Sequence, residues 1–185
     1  MLFRSGSGII GKFNALELSE LGFQVTIIDP AQHQNSSNAA LGLLMGNMYQ
    51  KRRGRSWDLR KQSIALWPQW ITFLKKFNYK LNIEKPFIQL TTNEEKFKKL
   101  EKFIYENNDP TLLILESDSI LIKNINKTFQ TKNIKGMISF KDGRINALSL
   151  LQTLDKYLKY KKVNYLQGEV IKIRKSNNQW IYNKE

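Results

Sequence analysis

Short apolar runs and one stretch with helical spacing follow each other closely at the start of the chain. Leu2 and Phe3 precede a glycine-rich stretch, a helical pattern then extends to Leu21, and Val25–Ile28 is β-branched at every position. A spacing of three and four residues predicts a helix, and a β-branched run predicts a strand buried on both faces of a parallel sheet. This segment is therefore predicted to form strand, turn, helix and strand in that order.

The predicted first helix has one face of small and apolar residues. Gly11, Ala15, Leu18 and Gly22 are separated by four, three and four residues, which places them on one side of a helix. Small side chains on that side allow the helix to approach a sheet closely. Gly22 is also suited to end the helix, because glycine adopts the left-handed conformation without strain.

The remaining chain alternates predicted helices and short strands. Helices are predicted over Asp58–Lys76, from a cap within Thr92–Glu95 to about Glu106, and over Ala147–Tyr160. Strands are predicted at Phe87–Leu90, Gly136–Phe140, Val163–Leu166, Glu169–Ile173 and Trp180–Tyr182. Leu112–Leu115 and Ile120–Ile122 are each predicted as a strand or a helical turn, because brief apolar runs do not distinguish the two.

Two of these helices have a predicted inward face. In the helix over Asp58–Lys76 this face consists of Leu59, Ser63, Leu66, Trp70, Phe73 and Leu74. In the helix over Ala147–Tyr160 it consists of Leu150, Leu151, Leu154 and Leu158. Pro68 lies inside the helix predicted over Asp58–Lys76 and is expected to kink it or to start a new one.

Composition removes several classes of protein from consideration. The 185 residues are 41% hydrophobic, include no cysteine and contain one histidine, His33. Disulfide frameworks, thiolate metal sites and cysteine nucleophiles are excluded, and a histidine-based zinc site is poorly supplied, so no metal site is predicted. No apolar run approaches the ~20 residues that span a bilayer. Without a signal-peptide pattern at its start, the chain is predicted to be cytoplasmic.

The chain is strongly basic, with 30 Lys and Arg residues against 16 Asp and Glu and a formal net charge of +14. The one dense basic cluster is Lys51–Arg55. Such a cluster could neutralise phosphates in a nucleic-acid-binding module, but charge runs more often form a solvated surface. We favour a solvated loop before a helix and expect no nucleic-acid partner.

The glycine-rich stretch between the first strand and helix has the spacing of a dinucleotide-binding motif. Gly6 permits a tight turn, Gly8 leaves bare backbone for a diphosphate, and Gly11 allows close helix–strand packing. The helix directs free N–H groups and its positive dipole end at the phosphates. Asp29 ends the second strand, where a carboxylate accepts hydrogen bonds from ribose hydroxyls. The motif predicts dinucleotide binding.

A second segment distinguishes between possible dinucleotides. Ser36–Leu44 combines small residues, hydroxyls and a glycine, for which a nicotinamide-dependent dehydrogenase has no use. Together with the glycine motif, Ala15–Leu18 and Val25–Asp29, it resembles the FAD-dependent D-amino acid oxidase and glycine oxidase family. A less specific likeness to the same family covers about residues 136–173.

The resemblance implies an α/β fold with a Rossmann-like FAD-binding domain of the GR2 flavoprotein type, incomplete, and part of an interleaved α+β substrate domain. Residues 1–80 would begin the FAD-binding domain, residues 81–135 would belong to the substrate domain, and residues 136–185 would return to the FAD-binding domain. Because family members are substantially longer, the chain is expected to be an N-terminal fragment. The carboxylate-binding residues of the family lie beyond it, so no catalytic residue is assigned.

The same resemblance implies a set of residues around the cofactor. The predicted FAD contacts are Gly6, Ser7, Gly8, Ile9, Ile10, Gly11, Asp29, Ser37, Asn38, Ala39, Ala40, Gly42, Leu43 and Val170. Ser37–Ala40 would line the middle of the cofactor, Gly42 and Leu43 would approach the isoalloxazine, and the Val170 backbone would meet the adenine.

The implied activity is oxidation of an amine or amino acid by hydride transfer to flavin, with O2 reoxidising the flavin. We expect this fragment alone to retain FAD poorly and to show no turnover. The alternatives are an NAD-dependent dehydrogenase, which shares the glycine motif and Asp29, and a basic nucleic-acid-binding module.

Overall fold

The computed structural model describes residues 2–30, 36–129, 133–176 and 179–184. The helices are α1 (Ile9–Glu20), α2 (Arg55–Leu74), α3 (Glu94–Asn107), α4 (Ile120–Phe129) and α5 (Ala147–Tyr160). The first strands are β1 (Leu2–Ser5), β2 (Val25–Asp29), β3 (Leu43–Leu44), β4 (Ile83–Glu84), β5 (Phe87–Thr91) and β6 (Leu112–Leu115). The later strands are β7 (Lys135–Ser139), β8 (Gly143–Ile145), β9 (Asn164–Gln167), β10 (Val170–Ser176) and β11 (Gln179–Lys184). None of the helices in these described ranges is long and apolar enough to cross a membrane.

The chain divides into two compact units. The first comprises residues 1–42, 70–82 and 146–185, and the second comprises residues 43–69 and 83–145. Residues 43–69 and 136–145 therefore pack with the second unit, although the sequence groups them with the cofactor-binding segments. The assignment of segments to a cofactor domain and a substrate domain stays a prediction.

A parallel sheet forms the centre of the first unit. Its strand order is β1-β2-β9, with Phe3 paired to Thr26 and Ile27 paired to Tyr165. Ile27 and Ile28 are almost completely buried, because helices cover the central strand of such a sheet. The predicted strand–turn–helix–strand order at the start of the chain is confirmed. β10 and β11 form an antiparallel pair in the same unit.

Helix α1 ends as predicted but buries a different face. Gly22 has a φ of +84°, and its N–H and that of Phe23 donate to the carbonyl groups of Ser19 and Leu18, which closes the helix end. The predicted face of Gly11, Ala15, Leu18 and Gly22 is wrong in its second half, since Leu18 is only half-buried and Gly22 is exposed. The buried residues are Gly11, Lys12, Ala15 and Leu16.

Helix α5 packs with α1 in the first unit through the face that its sequence predicts. Leu150, Leu151, Leu154 and Leu158 are all buried, together with Thr153 and Tyr157. Asn146 caps the helix by accepting a hydrogen bond from the Ser149 N–H. The ring of Tyr157 makes edge contacts with Phe73 and Phe77, which completes an aromatic cluster in this core.

The second unit contains two antiparallel sheets. The larger has the order β5-β7-β6 and packs against α3, whose Phe97, Leu100 and Phe103 are buried. The smaller has the order β3-β8-β4, and its two- and three-residue strands were not predicted. The two ambiguous apolar runs are resolved as strand β6 and helix α4. The predicted cap of α3 is Asn93, whose side chain accepts from the Lys96 N–H at 2.9 Å.

Helix α2 is continuous through Pro68, and the predicted inward face is correct only near its end. Leu74 is buried, but Leu59 and Leu66 are 57% and 48% exposed, and Ser63 is also exposed. The more buried positions in residues 55–69 are Trp57, Arg60, Ile64 and Trp67. The face is rotated because the Arg60 guanidinium lies over the Tyr49 ring, 4.0 Å from its centroid, and so takes an inward position.

Candidate functional site

The glycine motif lies at the junction between β1 and α1. β1 ends at Ser5 and α1 begins at Ile9, with Gly8 as the N-cap. Gly6 has a φ of +87°, a conformation that L side chains rarely adopt, and its N–H donates to the Ile28 carbonyl at 2.8 Å. The turn out of β1 therefore depends on glycine and is held to the end of β2.

Close backbone approaches account for the other two glycines. A Cβ atom on Gly11 would overlap the carbonyl oxygen of Gly6 and lie 3.0 Å from its carbonyl carbon. A Cβ atom on Gly8 would lie 2.9 Å from the Ser37 Oγ atom. Neither position has room for a larger residue without movement. Close packing is what the sequence predicts for Gly11, whereas the role of Gly8 as bare backbone for a diphosphate stays a prediction.

The Asp29 side chain is directed at this junction. Its Oδ2 atom accepts a hydrogen bond of 2.6 Å from the main-chain N–H of Ser7. Asp29 is the last residue of β2, so the sheet edge and the glycine turn together place a carboxylate next to the N-terminus of α1.

The segment 36–40 also contacts the start of α1. The Ser37 Oγ atom accepts from the Ile9 N–H at 3.0 Å, which satisfies one of the N–H groups that a helix N-terminus leaves without an intrahelical acceptor. Ser37 is half-buried, whereas Asn38, Ala39 and Ala40 are exposed. Ser37 is thus held to the helix, and its small neighbours stay accessible.

Of the remaining predicted contacts, Ile10 belongs to the glycine motif, and Gly42, Leu43 and Val170 lie farther along the chain. Gly42 has a φ of +69° and ends its segment of the first unit. Leu43 begins β3 in the second unit and is 42% exposed. Ile10 is 71% exposed in the first turn of α1, and Val170 begins β10. That these residues contact the cofactor stays a prediction.

The residues at the junction fit the diphosphate and ribose of FAD. Bare backbone at Gly8, the first-turn N–H groups of α1 and the positive end of its dipole suit two phosphates. The carboxylate of Asp29 suits two ribose hydroxyls, and the same carboxylate disfavours a 2′-phosphate. The glycine turn, the N-terminus of α1 and the Asp29 carboxylate come together within the first unit, which is the arrangement that the sequence predicts.

Two networks of polar side chains were not predicted. Lys12 is buried in α1, and its ammonium pairs with Oδ1 of Asp155 in α5. Asp142, 1% exposed, accepts from the main-chain N–H groups of Gly46, Asn47 and Met48 at 2.7, 2.8 and 2.6 Å. The helical spacing of Lys12 to Ala15 and Leu16 could have indicated its burial, but no local signal indicates partners so distant in sequence.

The basic cluster is only partly available to an external anion. The Arg52 guanidinium donates to the Asn47 carbonyl and the Asn107 side chain, and it lies 4.9 Å from the Phe103 ring centroid. Lys51, Arg53 and Arg55 are exposed. Arg52 therefore stabilises the second unit, which weakens the case for a nucleic-acid surface there.

The described residues contain no group of three or more His, Asp or Glu side chains that could hold a metal ion. His33 lies outside the residues that the structure describes.

Comparison with known proteins extends this picture to most of the chain. The sequence profile of the family described as FAD dependent oxidoreductase matches residues 6–185. A search of curated protein sequences finds no match. The family match therefore includes the glycine motif, Asp29 and the segment after it.

Solved structures with the same fold include a glycine oxidase, an iminodiacetate oxidase and an L-alpha-glycerophosphate oxidase. Glycine oxidase from Geobacillus kaustophilus superposes with a TM-score of 0.78 at 21% identity, over 98% of this chain and 50% of that one. Iminodiacetate oxidase from Chelativorans sp. BNC1 gives a TM-score of 0.81 at 15% identity, over 100% and 51% of the two chains.

The FAD-bound L-alpha-glycerophosphate oxidase from Mycoplasma pneumoniae gives a TM-score of 0.71 at 17% identity, over 98% of this chain and 48% of that one. The chain thus spans about half the length of the structures that it matches.

Proposed function

The chain belongs to the family of FAD dependent oxidoreductases, and we propose that it supplies the dinucleotide-binding part of an enzyme that oxidises an amine or an amino acid. FAD is the cofactor of that family. The observation that carries the proposal is the junction at which Gly6–Gly11 and the Asp29 carboxylate meet the N-terminus of α1. Glycine oxidase and iminodiacetate oxidase are among the solved structures with this fold, which supports the substrate class.

Different residues of the junction would bind different parts of FAD. The first-turn N–H groups of α1 other than that of Ile9, which donates to Ser37, would donate to the diphosphate, and Gly8 would let it approach the backbone. Asp29 would accept from the ribose hydroxyls while keeping its bond to the Ser7 N–H. When bound, FAD supplies the two-electron acceptor for a hydride from the substrate's Cα.

The segments that follow would complete the cofactor site. Ser37–Ala40 would line the middle of FAD, with Gly42 and Leu43 near its ring system and the Val170 backbone near the adenine. In the same proposal, residues 1–80 and 136–185 serve the cofactor and residues 81–135 serve the substrate. The exposure of Asn38, Ala39 and Ala40 is consistent with a surface that a ligand covers.

Binding and turnover are proposed for different lengths of chain. Because this chain corresponds to about half of each matched structure, we propose weak FAD binding and no turnover for it alone. Oxidation of the amine, with O2 as the final acceptor, is proposed for an enzyme of the relatives' length.

A paired titration tests the choice of cofactor. The purified chain is titrated with FAD and, separately, with NADH, and binding is followed by the change in fluorescence of each ligand. We expect saturable binding of FAD and weaker binding of NADH, since Ser36–Leu44 has no role in a nicotinamide site. Tight NADH binding with no affinity for FAD would replace the proposal with the dehydrogenase alternative.

A further inference from the structure

Lys12 is an unusual residue for its position in α1. It follows Gly11, the glycine that lies against the Gly6 carbonyl, and shares a buried face with Ala15 and Leu16. The residue is 7% exposed, although lysine is rarely buried so completely. An apolar side chain would fill this position without the cost of removing an ammonium group from water.

The buried ammonium is held by a directional network from two other elements. Asp155 Oδ1 of α5 accepts from the Lys12 Nζ atom, and the same oxygen accepts from the Tyr165 hydroxyl of β9 at 3.1 Å. Desolvation raises the pKa of Tyr165, and the charges of Asp155 and Asp29 add to the effect. The hydroxyl therefore stays protonated and donates to Asp155 over the physiological pH range.

An ion pair of this kind, in which Lys12 is buried and the Asp155 side chain is 48% exposed, contributes little net stability, because solvent screens the exposed partner and apolar replacements of a buried charge are often equally stable. The ion pair instead restricts the orientation of the helix. A helix with an apolar face can rotate or slide on its neighbours, whereas a helix held by a paired ammonium cannot. The network begins one residue after Gly11 and ends on the strand beside β2, so it fixes α1 relative to the strands that carry the glycine turn and Asp29.

We propose that Lys12, Asp155 and Tyr165 form a positioning network that fixes the orientation of α1, and thereby sets the affinity of its N-terminus for the diphosphate of FAD. The inference rests on the proposed function, and Lys12 is a positioning residue without contact to the cofactor. Small errors in the placement of such groups weaken binding strongly, because the N–H groups act only in line with their acceptors.

The same pair of helices offers a matched control. Lys161 Nζ pairs with Glu20 Oε1 at 2.5 Å. This ion pair joins the C-terminal ends of α5 and α1, and it lies at the opposite end of α1 from the glycine turn. Lys12→Met and Lys161→Met each remove one ammonium from the contact between the two helices. Only the first removes it near the cofactor-binding end.

The experiment measures FAD affinity by fluorescence titration and stability by urea unfolding, for the unsubstituted chain and each variant. We expect Lys12→Met to weaken FAD binding by about tenfold, Tyr165→Phe to weaken it by a few-fold, and Lys161→Met to leave it within about twofold. The double variant Lys12→Met/Asp155→Leu should recover the stability lost in Lys12→Met without recovering FAD affinity.

Two results would overturn the network: equal FAD affinity in Lys12→Met and Lys161→Met, or recovery of affinity together with stability in the double variant. Should Lys12→Met fail to fold, Tyr165→Phe decides, and unchanged affinity in that variant overturns the proposal. If the unsubstituted chain binds no FAD, the proposed function itself fails, which is a different outcome from equal binding by all variants.

Discussion

Gly11 of α1 lies directly against the carbonyl group of Gly6, so that even a methyl group at position 11 would overlap the Gly6 oxygen. We expect Gly11→Ala to lower the free energy of unfolding by about 1–3 kcal/mol, because the added atom forces the helix away from β1. Urea denaturation measures the effect. Glu17→Ala on the exposed side of the same helix is the control, and an equal loss in both variants would contradict this explanation.

Ser37 is expected to stabilise the fold through a single side-chain hydrogen bond. Its Oγ atom accepts from the Ile9 N–H at the start of α1, a group that has no intrahelical acceptor. Ser37→Ala should therefore lower stability by about 1 kcal/mol, whereas Ser36→Ala at the exposed neighbouring position should have little effect. Thermal unfolding of the two variants compares them, and a Ser36→Ala loss as large as that of Ser37→Ala would count against the bond.

Asp142 is expected to be the most sensitive carboxylate of the second unit. It joins the turn before β8 to the N–H groups of residues 46–48, and it is almost completely buried. Asp142→Ala should lower the free energy of unfolding by about 3 kcal/mol, because three main-chain donors lose their acceptor. Asp118→Ala, at an exposed position, provides the control in urea unfolding. A loss below 1 kcal/mol for Asp142→Ala would mean that water replaces the carboxylate.

Asp109 should make stability depend on pH at the acidic end. Hydrogen bonds from the Thr111 hydroxyl and N–H, at 2.6 and 2.9 Å, and from Lys141 hold the pKa of Asp109 well below its usual 3.8. A lowered pKa means that the unfolded chain binds the proton first as pH falls. The stabilisation is therefore complete above about pH 4 and is lost progressively below it.

Unfolding of the unsubstituted chain and of Asp109→Asn between pH 2 and pH 6 measures this contribution. The variant should be less stable by about 1–2 kcal/mol at pH 6 and should approach the unsubstituted chain as the pH falls. Glu101→Gln, exposed on α3, controls for the general effect of removing a carboxylate. A stability difference for Asp109→Asn that is constant over this pH range would contradict the assignment.

The sequence predicted the start of the first unit well because the residues that determine its structure are close together along the chain. The glycine spacing, the β-branched strand and Asp29 are consecutive features, and each is determined by backbone sterics or by burial on both faces of a sheet. The inward face of α5 followed in the same way from its leucines. The placement of Asp29 beside the glycine turn was therefore predictable from the order of strand, turn, helix and strand, whereas its hydrogen bond from the Ser7 N–H was not predicted.

The features that sequence missed depend on partners far along the chain. Strands β3, β4 and β8 are too short for any periodicity to be detected. The burial of Lys12 was not predicted, because it depends on Asp155, 143 positions away. The inward face of α2 was predicted incorrectly because Arg60 takes an inward position over Tyr49, whereas hydropathy favours the neighbouring Leu59 as the inward residue.

Calorimetric titration of the purified chain with ADP tests whether the glycine junction binds a dinucleotide, because ADP carries the diphosphate and ribose without the flavin. We expect saturable binding of one ADP per chain, with an affinity about tenfold weaker in Asp29→Ala, the loss expected for hydrogen bonds to a charged group. Asp118→Ala should bind ADP as the unsubstituted chain does. Absent binding, or equal affinity in Asp29→Ala, would contradict the assignment of the glycine junction as the dinucleotide site.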